Sequence, residues 1–394
     1  MVAVLRPLGV TVAQPFEVGH TAAELGKLAD FLKGLDGETR VIMEHTGRYY
    51  ESVAHVLHEW GLYVSAVNPL LIREYGGNSL RKVKTDKADA RKIARYGLDN
   101  WAELRQYTPM DEIRYELKML NRQFQLASKN RVAAVNNLTA LLDISYPNAR
   151  IWFSSPVRPD GSQKWVDFVT TFWHVDCVRT VSLNVFTERY RKWCGRHHYN
   201  FNARKAEEIY LSAKEQIALV PKSPTTKLLI QEAAAQVKNV SHTTELLRAE
   251  MNRLASQLPE YPVVMSMYGV GESLGPQLIA EIGDVTRFAH KRALAAFAGV
   301  DPAPNQSGTR DVRSNRSTKR GSSYLRQTLF KIMMVLLQNA PPDDPVYQYL
   351  DRLRTKGKPY YVYMTAGANK FLRVYYGKTN EYLRNLENSG TMSP

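Results

Sequence analysis

Residues 41–47 read Val41-Ile-Met-Glu-His-Thr-Gly47, a short apolar run that ends in an acidic residue and a glycine. Such a run is typical of a buried strand, and the glycine favours a turn soon after it. Short β-branched runs alternate with helical patterns from the first residue to about Leu98. We therefore predict an α/β domain at residues 1–105, with Glu44 at the mouth of its sheet.

The flanking patterns predict the neighbouring elements of this domain. Thr21-Ala-Ala-Glu24 is a capping box, which favours a helix from there toward Leu35. A basic helix is predicted from Asp86 to Leu98. The other predicted elements are a hairpin of Val2–Leu5 with Val10–Val18, a helix at Tyr49–Trp60 and a strand at Tyr63–Val67.

Two apolar series in steps of three and four predict long helices with seams typical of coiled coils. We predict a coiled-coil arm at residues 106–260, which pairs either within the chain or between protomers. The arm encloses an insertion at about 143–225, whose four tryptophans favour a small helical subdomain with its own core. The first series is Ile113, Leu117, Leu120, Phe124, Ala127, Ala134, Leu138 and Leu141; the second is Ile230, Ala233, Val237, Val240, Thr244, Leu247, Met251, Leu254 and Leu258.

A third, mostly helical unit is predicted at residues 261–394. Its centre, from Asp301 to Ser323, is rich in Gly, Ser and Arg. Near its start, Gly269 and Gly271 resemble the turn of a helix-hairpin-helix module, whose backbone N–H groups bind phosphate in nucleic acids. A tight turn between two helices accounts for the glycine pair equally well.

The composition favours a polyanion as partner. The 53 Lys and Arg residues exceed the 38 Asp and Glu residues, and the formal charge is +15. Each phosphate that a cation neutralises releases counterions, which favours binding to nucleic acid. No stretch approaches the roughly 20 apolar residues of a membrane span. We therefore predict a cytoplasmic, nucleoid-associated protein that binds DNA and no membrane.

The two cysteines exclude a disulfide framework. Their spacing from histidines, in His174-x-x-Cys177 and Cys194-x-x-His197, would suit a zinc ion. The surrounding segment is rich in tryptophan and helical in pattern, which favours buried structural residues. We therefore predict no zinc site.

The first candidate site is acidic. Asp86 and Asp89 are three residues apart at the opening of a helix, so their carboxylates lie on one face. With Glu44 they would offer oxygen ligands to Mg²⁺, a metal of phosphoryl transfer. Alternatively, acids in a first helical turn only favour the helix dipole. Cations that suit a site facing a phosphate backbone bracket the two aspartates: Lys82, Lys84, Lys87 and Arg91.

The second candidate site is Ser307, beside a glycine that leaves its hydroxyl accessible. Clustered guanidinium groups would grip a scissile phosphate and help the hydroxyl ionise, which predicts Ser307 as a nucleophile. Alternatively, the arginine-rich loop only binds phosphate. The cations predicted to bind nucleic acid here are Arg310, Arg313, Arg316, Lys319, Arg320 and Arg326, and rival hydroxyls are those of Ser314, Ser317, Ser322 and Ser323.

Several motifs resemble the IS110 family of insertion-sequence transposases. They occur in the family's order at both ends of the chain, and the insertion carries little of the resemblance. The motifs are Met43-Glu-His-Thr-Gly-Arg-Tyr49, Val67-Asn-Pro69, Lys84-Thr-Asp-Lys-Ala-Asp-Ala-Arg91, Gly269-Val-Gly271, Phe297-Ala-Gly-Val-Asp-Pro302, Gln306-Ser-Gly308 and Lys319-Arg-Gly321 with Leu325-Arg326.

The resemblance implies an RNase H-like (RuvC-like) N-terminal domain with an Asp-Glu-Asp-Asp metal site, a coiled-coil arm and a C-terminal domain with a catalytic serine. The family's Glu falls on Glu44, its last two Asp on Asp86 and Asp89, and its serine on Ser307. The implied function is DNA transposition, in which the serine forms a covalent link to DNA and conserves the bond energy for rejoining. A homo-oligomer and an element-encoded noncoding guide RNA are implied as partners.

One position departs from the family. Its first Asp lies on an opening strand upstream of the residues that match Val2–Leu5, yet no aspartate precedes Asp30 here. Either the start has been placed too far downstream or the element is a truncated copy. A three-carboxylate site binds metal more weakly and lacks part of a central strand, so we expect the chain as written to be impaired or inactive.

Two other functions fit parts of the sequence. A RuvC-like, structure-specific nuclease would cut with its carboxylates and leave free DNA ends. A truncated transposase would only bind nucleic acid, with steep salt dependence and no metal-dependent chemistry. The Ser307-Gly308 pair within its arginine-rich surroundings favours the transposase.

Overall fold

Helices make up most of the structure, with three short pairs of strands among the described residues. This computed structural model describes residues 1–47, 49–75, 85–302, 306–307, 310–311 and 317–390. The chain divides into an N-terminal unit, Met1–Met110, and a C-terminal unit, Asp111–Pro394. The first unit ends a few residues beyond the predicted boundary at residue 105. No helix in the described ranges is long and apolar enough to cross a membrane.

The predicted hairpin at the N-terminus is confirmed. Strands β1 (Val2–Arg6) and β2 (Val10–Phe16) pair antiparallel. Their connection uses left-handed backbone, with φ of +65° at Leu8 and +77° at Gly9, and glycine adopts this conformation without steric cost. The chain therefore reverses direction within the three residues Pro7–Gly9 that join β1 to β2.

The predicted capping box also forms, with one change of partner. Helix α1 (Ala22–Lys33) begins after Thr21, whose hydroxyl oxygen accepts the Glu24 N–H at 3.3 Å. The Glu24 carboxylate accepts the N–H of Gly19. Two N–H groups near the helix start are thus satisfied, which fixes where the helix begins.

The rest of the N-terminal unit is a parallel βαβ arrangement. Strand β3 (Arg40–Glu44) pairs in parallel with β4 (Tyr63–Val67), and α2 (Tyr49–Glu59) is the crossover between them. The unit continues with α3 (Pro69–Tyr75) and α4 (Asp86–Asp99). The predicted mixture of α/β structure here and helices in the remainder of the chain is confirmed.

Strand β3 is covered by helices on both faces. Val41 and Met43 pack with the core of α1 and α2, whereas Ile42 packs with residues of α4. Gly97 allows α4 to approach the strand, because a Cβ on Gly97 would lie 2.6 Å from the Ile42 side chain. A strand with helices on both faces is normally interior to its sheet.

Nevertheless, β1 and β3 belong to separate two-stranded sheets. Both strands line a cavity of about 780 Å³. All five residues of β3 are only half-buried, whereas three of the five residues of β4 are buried. The single sheet of an RNase H-like fold therefore stays a prediction.

The C-terminal unit is organised by two long helices, α5 (Glu112–Ser145) and α10 (Pro224–Ala255). They pack along each other within the chain, in the largest contact between elements of the described structure. Every position of the two predicted apolar series is buried or half-buried. Both helices and their contact faces are confirmed; supercoiling and pairing between protomers stay predictions.

Four helices form the insertion between α5 and α10: α6 (Lys164–Thr171), α7 (Asp176–Arg179), α8 (Leu183–Arg196) and α9 (Ala203–Glu215). Trp165 and Trp193 are buried in its core. That core also contains Leu138 of α5 and Ile230 of α10. The insertion therefore shares its core with the long helices, which corrects the prediction of a core of its own.

The last residues of the insertion return to the end of α5, where the insertion begins. The carbonyl of Ile144, near the end of α5, accepts the N–H groups of Leu219 at 2.8 Å and Val220 at 3.2 Å. Both ends of the insertion are thus joined at one backbone group.

The remaining helices pack on the opposite ends of α5 and α10. Their core includes Leu117 and Met251 of the long helices together with Leu278, Leu329 and Phe371. The elements are α11 (Tyr261–Met265), α12 (Leu274–Ile282), α13 (Lys291–Ala298), β5 (Gln306–Ser307), β6 (Arg310–Asp311), α14 (Ser323–Asn339), α15 (Pro345–Thr355) and α16 (Tyr360–Asn388).

Candidate functional site

The three predicted carboxylates occupy the predicted elements. Glu44 is the last residue of β3, and Asp86 and Asp89 lie in the first turn of α4. Glu44 is half-buried and both aspartates are exposed. Within the described ranges, however, no three His, Cys, Asp or Glu side chains are grouped closely enough to hold a metal ion. As placed here, the three carboxylates do not fit a shared Mg²⁺ site.

The cations predicted beside these acids are only partly described. Lys87 and Arg91 are exposed on α4. The Arg91 guanidinium donates a hydrogen bond to the side-chain oxygen of Gln14 on β2. Lys82 and Lys84 lie outside the described residues. Lys87 is therefore a cation of this group whose exposure suits contact with a phosphate backbone.

The segment at residues 303–316, which carries the predicted serine, begins and ends at one point of the C-terminal unit. Pro302 and Ser317 form an antiparallel β-bridge. The Thr318 N–H donates to the Asp301 carbonyl at 3.1 Å, and the Thr318 hydroxyl donates to the Asp301 carboxylate at 2.7 Å. These four residues, which we call the stem, fix where the segment leaves the unit.

Two glycines allow the chain just after the stem to pack against the end of α13. Gly299 follows α13 with a φ of +65°, and Gly321 lies directly against it. A Cβ on Gly321 would lie 2.1 Å from the Phe297 carbonyl oxygen and 2.6 Å from the Gly299 nitrogen. Because these contacts are with backbone atoms, any larger residue at position 321 would displace the chain.

Ser307 lies at the end of β5. In the antiparallel register its backbone partner is Arg310, and Gln306 pairs with Asp311. The predicted nucleophile therefore precedes the two residues that connect these short strands, opposite the backbone of a predicted cation. Arg313 and Arg316 lie outside the described residues.

The other serines considered as nucleophiles differ in what their surroundings require of them. Ser317 belongs to the stem. Ser322 caps α14, because its hydroxyl accepts the Leu325 N–H at 3.1 Å. Ser323 is exposed in the first turn of α14. Ser314 lies outside the described residues.

Of the three cations after the stem, two are exposed and one is held by hydrogen bonds within the unit. Lys319 and Arg320 are exposed. Arg326 is half-buried, and its Nη1 donates to the carbonyls of Ala298 at 3.0 Å and Gly321 at 2.9 Å. Burial lowers the pKa of the Arg326 guanidinium. Arg326 thus supports the glycine contact, and its binding to nucleic acid stays a prediction.

A buried ionic network was missed by the sequence analysis. Glu281 of α12 is 4% exposed, and its carboxylate accepts hydrogen bonds from Asn121 at 2.6 Å and Arg122 at 2.7 Å. The Ser322 hydroxyl donates to the same carboxylate at 3.1 Å. The network joins α5, α12 and the start of α14 just beyond the stem. The available signal was a glutamate within an otherwise apolar helical pattern.

Of the two glycines before α12, Gly269 has a structural explanation. Gly269 has a φ of +77°, and its Cβ would lie 3.1 Å from the Ile332 and Leu336 side chains. Gly271 is exposed, and its carbonyl accepts the Gly275 N–H at 2.8 Å. Close packing therefore accounts for Gly269, and phosphate binding by the pair stays a prediction.

The histidine and cysteine residues of the insertion have structural contacts. His174 is 1% exposed; its Nε2 lies 3.0 Å from the Val220 carbonyl, and its Nδ1 accepts the Asp176 N–H at 3.1 Å. Burial raises the pKa of the Cys177 and Cys194 thiols. Burial therefore favours the neutral thiols, as in inert core cysteines.

Two family models match separate parts of the chain. A transposase family named for IS110 and a DEDD residue set matches residues 1–147, and the transposase IS116/IS110/IS902 family matches residues 261–348. Together the matches span more than half of the chain. Most of the insertion lies between them, in agreement with the distribution of the motifs.

Relatives are similar over most of the chain. The 43.6 kDa protein of insertion element IS110 from Streptomyces coelicolor is 25% identical over 90% of this chain and 84% of its own length. A pilin gene-inverting protein of Moraxella bovis is 23% identical over 85% of this chain and 78% of its own length. A transposase for insertion sequence element IS1111A of Coxiella burnetii is 28% identical over 35% of this chain and 38% of its own length.

Proposed function

Because the chain belongs to the IS110 family of transposases, we propose that it cuts and rejoins DNA strands with Ser307 as the nucleophile. The observation that supports this assignment is the stem, closed by the contact of Gly299 with Gly321. The stem brings together the two points at which the chain enters and leaves the segment that carries Ser307. The exposed Lys319 and Arg320 next to the stem suit a DNA backbone.

The proposed reaction is a transfer of the phosphoryl group in two steps. The Ser307 hydroxyl oxygen attacks phosphorus and loses its proton to water, and the bond from phosphorus to one DNA oxygen breaks. The departing DNA oxygen takes up a proton, which leaves the other strand end attached to serine. In the second step a DNA hydroxyl attacks this phosphate and loses its proton to water, the bond from phosphorus to the Ser307 oxygen breaks, and that oxygen takes up a proton. One phosphodiester is exchanged for another, so no external energy source is needed.

For the N-terminal unit we propose an RNase H-like sheet that one further strand would complete between β1 and β3. The cavity of about 780 Å³, the two separate sheets and the half-buried residues of β3 support this proposal. The family resemblance puts the first aspartate of the acidic set on such a strand.

Two partners follow from family membership rather than from contacts in this chain. We propose that an element-encoded noncoding RNA pairs with the DNA, and that protomers assemble through α5 and α10. Some apolar residues on these helices remain exposed, such as Leu126 at 52% and Leu246 at 57%, and could contribute to a contact between protomers.

The serine assignment is tested by trapping a protein–DNA adduct. The wild-type chain, Ser307→Ala and the matched control Ser323→Ala are incubated with DNA that flanks the reading frame, and adducts are resolved under denaturing conditions. We expect an adduct in the wild type and in Ser323→Ala, and none in Ser307→Ala. The same assay is run on a chain extended upstream in frame, so that the adduct is sought with and without the proposed further strand.

Each other outcome has a defined meaning. An adduct that persists in Ser307→Ala rejects the serine assignment. DNA cut without attached protein favours a structure-specific nuclease. Salt-sensitive binding without cutting by either the given or the extended chain indicates a protein that only binds nucleic acid.

A further inference from the structure

An exposed aromatic surface adjoins the stem. Tyr361 and Tyr360, in the first turn of α16, are 73% and 44% exposed. Their ring centroids are 5.2 Å apart in an edge-to-face arrangement. The ring of Phe330, on α14, lies 6.5 Å from that of Tyr361. We call these three rings the aromatic surface. Single exposed aromatic residues are common, but here Tyr360 and Phe330 both contact Tyr361, so the three rings form a patch.

A cavity of about 250 Å³ lies beside this surface. Phe330 and Tyr361 line it together with the stem residue Ser317 and the cations Lys319 and Arg326. Its lining thus combines rings on which a flat group can stack with cations that attract an anion. The remaining lining residues are Val300, Gln327 and Thr365.

Lys319 lines the cavity, and two further lysines shortly precede Tyr361 in sequence. Lys356 and Lys358, shortly before α16, are exposed, as is Lys319. The ion pairs found among the described residues include none of these three. The Arg326 side chain donates from Nη1 to two carbonyls and makes no other hydrogen bond to the described residues. The described residues that line the cavity therefore include two cations, Lys319 and Arg326, and no carboxylate.

We propose that the aromatic surface and this cavity hold one unpaired nucleotide of the DNA strand next to the cleaved phosphate. The base would stack on Tyr361 and Phe330, and the phosphates would lie against Lys319, Lys356 and Lys358. Stacking on aromatic rings within a basic groove is how proteins hold single-stranded nucleic acid without reading its sequence. This inference rests on the proposed function for the position of the cleaved phosphate.

The test measures binding rather than cleavage. A short single-stranded DNA oligonucleotide with one 2-aminopurine, whose fluorescence falls on stacking, is titrated with Ser307→Ala protein. We expect the further change Tyr361→Ala to weaken binding about tenfold, equivalent to about 1.4 kcal/mol, and to abolish the quenching. Tyr361→Phe keeps the ring and should bind like the parent. Leu211→Ala, on α9 and 55% exposed, is the matched control and should change nothing.

The outcomes separate this inference from the proposed function. Because Tyr361 is exposed, its variants should keep the melting temperature of the parent, which circular dichroism checks. Unchanged affinity and quenching in Tyr361→Ala would overturn the inference. If RNA of the same sequence binds more tightly than DNA in a Tyr361-dependent manner, the assignment to DNA is rejected. An adduct that survives Ser307→Ala would reject the nucleophile and leave the binding result intact.

Discussion

Strands β1 and β3 of the N-terminal unit bury their apolar residues much less than the core of the C-terminal unit does. In the C-terminal unit, Trp193, Tyr146 and Tyr375 are at most 2% exposed. In the N-terminal unit, β1 and β3 have no fully buried residue and line a cavity of about 780 Å³. Both regions are apolar in sequence, so the difference lies in packing partners. A local pattern is enough to form a strand, but a neighbouring strand is needed to bury it.

Truncation of a buried residue should have the largest effect. Trp193→Ala removes a ring that packs against Tyr190, Phe168 and Tyr199, so we expect a loss of about 3–5 kcal/mol in the free energy of unfolding. For a matched pair, Val237→Ala on α10, where the side chain is 1% exposed, should cost about 2 kcal/mol, whereas Val41→Ala should cost less than about 1 kcal/mol because a half-buried side chain loses little contact. Urea unfolding followed by circular dichroism measures all of these changes.

This pair of variants can break the comparison directly. If Val41→Ala is as destabilising as Val237→Ala, the cavity beside β3 is filled in solution and the contrast between the two regions disappears. Because the units can unfold separately, each variant is assigned to its own transition.

Supplying a strand should have an intermediate, stabilising effect. A strand of alternating Val and Thr, joined to Met1 through an Asn-Gly turn, would lie antiparallel to β1 and could also reach β3. We expect it to raise the free energy of unfolding of the N-terminal unit by about 2 kcal/mol, since burying one apolar side chain contributes about that amount. The measurement is the midpoint of that unit's urea transition.

The control extension has the same length with a central proline, which removes a donor from the strand ladder. Equal midpoints for the two extensions would mean that the cavity does not accept a strand. Such a result would also remove the main support for a missing member of the sheet.

The smallest effect expected concerns pH and the insertion. Burial lowers the pKa of His197, opposed by the nearby Asp167 carboxylate. In the unfolded chain the pKa returns to about 6.5. The unfolded state then binds the proton more readily, so stability should fall as pH drops from 6.5 through the lower folded-state pKa. In His197→Gln the midpoint of the C-terminal urea transition should depend less on pH over this range; an identical dependence would assign the effect to another group.

Local features of the fold were predictable from the sequence. The Pro7-Leu-Gly9 turn, the Thr21 cap and the two long apolar series each depend on neighbours within one or two helical turns. The sequence also placed Glu44 at the end of a strand and Asp86 in a first helical turn. Such features follow from backbone preferences and periodicity.

Features that depend on distant partners were not predictable. The carboxylate of Glu281 meets Asn121 and Arg122, which are far away in sequence. The shared core of the insertion and the two separate sheets likewise depend on which surfaces meet. Periodicity shows that a face is apolar, but it does not show what covers that face. The aromatic surface was visible only as the run Lys358-Pro-Tyr-Tyr361, whose neighbour Phe330 comes from another helix.

The double hydrogen bond to the Ile144 carbonyl has a consequence for how this architecture can vary. The chain comes back to the end of α5 before α10 begins, so the place where α10 begins does not depend on the number of residues between the two points. We therefore expect this position to accept folded inserts of different lengths without a change in how α5 packs against α10. The requirement on any replacement is an apolar surface that covers Leu138 and Ile230.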